Sequence, residues 1–300
     1  MRRKFRTAII FSFAFALLIS LELGIGMEVS AFTIPVPSAP GTNSSRNNKA
    51  EIDYSNSRDG YVKVRFLDRS ASEVRVMITG PNGHRDQYHL NTEGRWEVFP
   101  LTAGNGSYTI GVFEQITGNR FASANTVTIR VTLADEFAPF LRPNQLVNFS
   151  SSSRAVARAR TLVSGSTTVI DSVSRIYNFV IDNITYDFNL AASVQTGYVP
   201  DIDAVYARRM GICFDYASLM TAMLRSQGIP TQLVIGYAGT VFHAWINVYS
   251  PEHGWINNII QFNGSEWSLM DPTFAATSNQ SADAMRFIGD GRNYRPVSLH

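Results

Sequence analysis

The chain has 300 residues, 45% of them hydrophobic and 17% charged, with a formal net charge of +2. The basic excess lies at the start: residues 1–31 hold four basic and two acidic side chains, and 22 of each remain beyond them. A neutral remainder argues against nucleic acid or an anionic lipid surface as an electrostatic partner.

Arg2, Arg3, Lys4 and Arg6 precede the apolar run Ala8 to Leu21, and Val29-Ser30-Ala31 supplies small residues for cleavage after Ala31, so residues 1–31 read as an export signal. The alternative is an uncleaved anchor, but Glu22 ends the run well short of the roughly 20 residues that span a bilayer. No later segment is apolar enough to span one. The expectation is a secreted or cell-envelope protein with no stable membrane insertion after cleavage.

Residues 32–50 hold three prolines with Ser, Asn and Gly and no apolar periodicity, which predicts a flexible linker. Residues 51–134 then alternate β-rich runs with turn signals: Tyr61 to Phe66, Glu73 to Thr79, Gly80-Pro81-Asn82-Gly83, Trp96 to Phe99, Gly104-Asn105-Gly106, Tyr108 to Ile116, and Thr126 to Leu133. Val62, Val64 and Phe66, and again Val127, Ile129 and Val131, give each strand one apolar face, as in a small antiparallel sandwich. The rhythm resembles immunoglobulin-like domains. His84 and His89 flank a hairpin with no set of metal-ligand partners and read as surface or edge residues.

Pro139, Pro143 and a run of serines mark a boundary, and 135–300 is long enough for one α+β domain. Helices are predicted near Arg154 to Val163 and Thr168 to Asn183; in the second, Val169, Val173, Ile176, Tyr177 and Val180 recur at helical spacing. The overall expectation is an α+β chain, a β-sandwich followed by an α+β domain.

Cys213 is the single cysteine, so it closes no internal disulfide. It is either a buried small hydrophobe or a nucleophile. After it, Tyr216, Met220, Met223 and Leu224 form a helical stripe that Gly228 and Pro230 end. Cys213 thus falls at a helix start, where the dipole favours thiolate and the N–H groups suit an oxyanion. Asp215 in the first turn partly opposes the thiolate, so a cationic partner is needed. His243 can supply it: alternation over Val241 to Tyr249 puts Phe242, Ala244, Ile246 and Val248 on one face and His243, Trp245, Asn247 and Tyr249 on the other, the first facing a core and the second a cleft. Asp271, before Pro272, could orient the imidazole. Tyr186, in Ile184-Thr185-Tyr186, is the first choice for a second oxyanion donor, with Gln195 as the alternative.

The segments Gly211-Ile212-Cys213-Phe214-Asp215-Tyr216-Ala217, Gly228-Ile229-Pro230, His243-Ala244-Trp245 and Asp271-Pro272-Thr273 resemble the transglutaminase-like superfamily, over roughly residues 165 to 275. The resemblance implies a papain-like α+β core with Cys213 as nucleophile, His243 as base and acid, and Asp271 as the orienting carboxylate. It implies cysteine acyl-transfer chemistry, hydrolytic or cross-linking, on a peptide or protein amide; the compartment adds cell-wall peptides and exported proteins as donors, and no cofactor or metal is expected. Trp245, Trp255 and Trp267 could wall an amine tunnel, although core packing is the commoner use of such residues. A metal site would want a close-spaced His or Cys pair beside Cys213, a serine hydrolase would want a Gly-x-Ser-x-Gly elbow, and neither is present. The other class of reading is an inactive binding or cell-envelope structural protein that retains the fold.

Overall fold

The computed structural model describes residues 32–68, 71–257, 260–262, 267–269 and 293–300. Alternating apolar and polar residues build eight strands in its first part: β1 (Ser44–Arg46), β2 (Ala50–Asp53), β3 (Tyr61–Phe66), β4 (Val74–Thr79), β5 (Arg85–Leu90), β6 (Glu97–Pro100), β7 (Gly106–Thr117) and β8 (Arg120–Val131). They pair as two four-stranded antiparallel sheets, in the orders β1-β2-β3-β6 and β5-β4-β7-β8. Val62, Val64 and Phe66 of β3 and Val74, Val76 and Ile78 of β4 are buried in a common core, because a strand's period of two gives all of them the same side. Tyr88 of β5 and Phe99 of β6 join the sheets edge to face, with ring centroids 5.0 Å apart.

Three expectations are corrected in this part. The stretch 32–50 is no loose linker: β1 lies inside it, Ile34 and Ala50 are buried, and the Ser38 and Gly41 N–H groups donate to the Tyr61 hydroxyl and the Asp53 carboxylate at 3.0 and 2.6 Å. Its hold is through backbone hydrogen bonds, which leave no apolar periodicity to read. β5 was hidden because its sequence, Arg-Asp-Gln-Tyr-His-Leu, buries only Tyr88 and Leu90; it is an edge strand, and both His84 and His89 are half-buried there, 3.1 Å from Asp86 and 3.4 Å from Glu73. β8 begins six residues before the expected Thr126, since residues 120–125 lack β-branched side chains and are held extended by β7.

The boundary near residue 135 is also packed. Phe140, Leu146, Val147 and Phe149 are buried, and Gln145 ties the segment to β6: its N–H donates to the Val98 carbonyl at 2.9 Å and its side-chain amide to Glu97 at 2.8 Å. The described residues from 32 onward accordingly cluster as one compact unit.

The rest is mixed α/β. α1 (Arg154–Val163) and α2 (Val169–Asn183) stand where the periodicity placed them, and Thr168 caps α2 by accepting the Asp171 N–H at 3.1 Å. There follow β9 (Thr185–Tyr186), α3 (Phe188–Ser193), α4 (Ile202–Arg208), β10 (Met210–Gly211), α5 (Cys213–Arg225), β11 (Thr231–Ala238), β12 (Val241–Ser250), β13 (Gly254–Ile256), β14 (Ile260–Phe262), β15 (Trp267–Leu269) and β16 (Tyr294–Leu299). β9 and β10 pair in parallel, β14 and β15 form an antiparallel hairpin, and β13-β12-β11-β16 is an antiparallel sheet.

α5 is the centre of this part, touched by α1, α2 and α4 and by β11 and β12. The expected stripe Tyr216, Met220, Met223 and Leu224 is fully buried. So are Asp215, Ser218, Thr221 and Arg225 on its other sides, which corrects the reading of an amphipathic helix. Ser218 Oγ finds no partner among the described residues, and the other polar side chains of a helix enclosed all round must find theirs internally. Arg225 does so by donating to the backbone oxygens of Thr231, Arg142 and His300 at 2.9, 2.8 and 2.6 Å. Burial pulls its pKa down to about 9, so it stays charged at neutral pH.

Candidate active site

Cys213 is the first residue of α5 and is half-buried. The turn into the helix is fixed by Asp215. One of its oxygens accepts the Ile212 N–H at 2.9 Å, the side-chain half of a capping box, and the other accepts the Tyr198 hydroxyl at 2.7 Å. Arg208 adds a longer contact at 3.4 Å. Burial raises the Asp215 pKa, against the opposing pull of Tyr198, the Ile212 N–H and Arg208, and burial with the bond to Asp215 pushes Tyr198 up to about 12. Gly211 is required by the same carboxylate: a Cβ there would lie 2.5 Å from Asp215 Cβ and 2.9 Å from Oδ2.

Parallel pairing brings Tyr186 beside Gly211, two residues ahead of the cysteine, with the Thr185 and Asp187 N–H groups donating to Arg209 and Gly211 carbonyls at 2.9 Å. Arg209 takes the left-handed conformation, φ 57°, that turns the chain out of α4 and into β10. His243 comes from the opposite side. It stands on β12 across from Gly236, where a Cβ would collide with the Arg295 carbonyl and reach within 2.7 Å of Trp245. Its ring is buried, stacked on Trp245 at 6.2 Å and tilted against Tyr294 at 6.3 Å.

Cys213, His243, Tyr186 and Gln195 line one cavity of about 440 Å³, so three of the four site residues read from the sequence, and the alternative oxyanion donor, are brought to the same place. The fourth, Asp271, lies outside the described residues; the β14–β15 hairpin ends at Leu269, two positions before it. The face alternation expected for β12 is corrected in part. Phe242 is 63% exposed rather than core, while residues 243–248 are all buried, since the strand is covered on both faces. Trp245 and Asn247 line a separate cavity of about 630 Å³, with Tyr108, Trp255 and Tyr294. Trp245 is buried, Trp255 packs on Phe137, Phe140 and Tyr249, and neither lines the Cys213 cavity. The side chain of Trp267 lies outside the described residues.

Sequence reasoning missed Tyr198, Val194, Val241 and Phe242 around this cavity. Tyr198 sits in a polar loop before Pro200 with no periodic signal, and only its bond to Asp215 gives it a place. Among the described residues no helix is long and apolar enough to cross a membrane.

Residues 156–258 match the profile of the transglutaminase-like superfamily. The chain is 26% identical over 264 residues to an uncharacterized protein of Mycobacterium tuberculosis, covering 83% of this chain and 71% of that one. It is 29% identical over 101 residues to the uncharacterized protein YebA of Bacillus subtilis, a stretch that is 28% of this chain and 13% of YebA. Over 69 residues it is 33% identical to a protein-glutamine gamma-glutamyltransferase of Pseudomonas aeruginosa, which is 18% of this chain and 10% of that enzyme. Among solved structures, the periplasmic domain of TgpA from Pseudomonas aeruginosa aligns with a TM-score of 0.35 at 17% identity, covering 76% of this chain and 92% of that domain. The stretch that carries Cys213 and His243, residues 156–258, is therefore a transglutaminase-like domain.

Proposed function

We propose that this chain is an exported acyl-transfer enzyme that works through a thioester on Cys213, acting on peptide or side-chain amides. The observation that supports it is the meeting of a thiol at the start of α5 and a strand imidazole on one cavity. In this reading His243 takes the thiol proton and Sγ attacks the amide carbonyl carbon. The backbone N–H groups at the start of α5, with the Tyr186 hydroxyl or the Gln195 amide, hold the oxyanion. Collapse breaks the C–N bond, and His243 returns its proton to the departing amine. Asp271 orients the imidazole. Water then attacks the thioester, His243 takes its proton, and the carboxylic acid leaves as Cys213 is restored.

Hydrolysis is the reading preferred over amine transfer, because an acyl-enzyme reached by water is hydrolysed unless the site admits an amine and holds water back. Trp245 and Trp255 lie off the cavity and do not wall such a path. The second reading, transfer to a lysine amine, draws on the likeness to the glutamyltransferase. On this proposal residues 51–134 are an immunoglobulin-like sandwich that holds the catalytic part, and the chain works outside the cytoplasm after cleavage at Ala31.

The test is turnover of a carboxamide peptide with and without a labelled primary amine, read by mass spectrometry. Cys213→Ala should abolish covalent product with the fold intact. His243→Ala should slow acylation and change the pH dependence of Cys213 alkylation. Turnover of Cys213→Ala at a comparable rate would overturn the mechanism, and amine incorporation dependent on Cys213 would favour the second reading.

A further inference from the structure

The mouth of the Cys213 cavity is apolar where the fold gives no reason for it to be. Val241 and Phe242, at the tip of the β11–β12 hairpin, are 62% and 63% exposed, and both line the cavity with Val194 and Phe214. A hairpin tip is ordinarily polar, and single exposed apolar residues need no explanation. A group of them on the rim of a cavity that also holds a thiol and an imidazole marks a surface a ligand covers. Phe242 is braced from behind, its ring edge-on to Tyr237 at 5.6 Å.

The electrostatics point the same way. Among the described residues lining this cavity there is no Lys, Arg, Asp or Glu. Of the cations nearby, Arg208 is tied to Asp215 at 3.4 Å, and Arg295 lies over the Tyr237 ring at 4.7 Å. A carboxylate or ammonium entering beside Cys213 would lose its water and meet no charge in the lining beyond the Cys213–His243 pair, whose two charges answer each other. The carboxamide gives up hydrogen bonds to water whatever its neighbour is, but an aliphatic or aromatic neighbour sheds only apolar hydration and gains contact with Phe242 and Val241.

We infer that the site selects acyl donors whose reactive carboxamide is flanked by an apolar or aromatic residue, with Phe242 and Val241 holding that residue. This rests on the acyl-transfer reading for the role of the bound amide, and it places glutamine-type or backbone amides in apolar peptide segments ahead of the acid-rich peptides of a cell wall.

Binding is measured apart from turnover, so that the two readings fail separately. Cys213→Ala protein is titrated by calorimetry with a set of glutamine peptides that differ only in the neighbour of the glutamine: Phe, Leu, Ser, Glu or Lys. The Phe and Leu peptides should bind about tenfold or more tighter than the Glu and Lys peptides, the effect of covering one apolar side chain. Adding Phe242→Ser, an exposed position that the fold tolerates, should remove most of that difference. Equal binding across the set, tighter binding of the charged peptides, or a preference untouched by Phe242→Ser would overturn the inference. The preference seen in binding while the Cys213 protein turns over none of the peptides would overturn the acyl-transfer reading and leave the apolar site standing.

Discussion

Gly211 shows how little room the turn into Cys213 allows. The missing side chain leaves space for the Asp215 carboxylate to fold back onto the Ile212 N–H, and that bond sets where α5, and so Cys213, begins. In Gly211→Ala the new methyl would sit 2.5 Å from Asp215 Cβ, which belongs to the helix backbone's own turn and has no flexible end to move. Overpacking of this kind costs about 1–3 kcal/mol. The variant should show a lower Tm and slower alkylation of Cys213, because the same shift moves the thiol. An unchanged Tm and labelling rate would mean that the turn relaxes freely and Asp215 does not fix the cysteine. The motif residues Gly211, Cys213 and Asp215 were readable because they are contiguous. Tyr198 was not, since its tie to Asp215 spans 17 positions and depends on how the loop folds back.

At the scale of elements, local periodicity was a good guide only where one face is buried and the other is not. α1 and α2 follow it, as do β3 and β4. It failed for α5 and β12, which are covered all round, and for β5, which is barely covered. The elements that carry Cys213 and His243 are the enclosed ones, so their apolar residues announce burial without announcing which face meets which neighbour. Arg225 at the end of α5 carries a consequence of that enclosure. Its three donors hold backbone oxygens from three separate segments, at 142, 231 and 300. Arg225→Ala would take a charged donor from each of those oxygens, leaving the one at 300 with only the Leu233 N–H, and would open a cavity beside them, at a cost of about 3–5 kcal/mol. Arg225→Lys should recover little, because one ammonium lacks the planar fork that reaches three diverging oxygens. Denaturant unfolding checks both; a loss below about 1 kcal/mol in Arg225→Ala would show that water replaces the guanidinium.

Across the whole molecule, the sheets of the first part and the domain that carries Cys213 are held by buried polar contacts as well as by apolar ones. The His89 ring packs against Gly197, in the loop that walls the Cys213 cavity, where an added Cβ would stand 3.0 Å from the imidazole. Further in, the Tyr88 hydroxyl and His300 Nδ1 are 2.9 Å apart and fully buried, with Asp86, His84 and Arg225 the charged or titratable groups that act on them. Burial, reinforced by Arg225 and His84 and opposed by Asp86, lowers the His300 pKa from 6.5 to about 4. A histidine held neutral in the fold binds fewer protons than in the unfolded chain at any pH between those two values, so stability must rise with pH there. Its contribution is complete above about pH 6.5 and is lost as the pH falls toward 4, by about 3 kcal/mol if no rearrangement intervenes. His300→Gln can still accept from Tyr88 and does not titrate. Relative to that variant, the parent protein should lose stability progressively from pH 6.5 to 4 in urea unfolding and run parallel to it above pH 7. Curves that stay parallel down to pH 4 would show that His300 opens to water before it protonates, and that this junction between the sheets and the domain that carries Cys213 is not sealed.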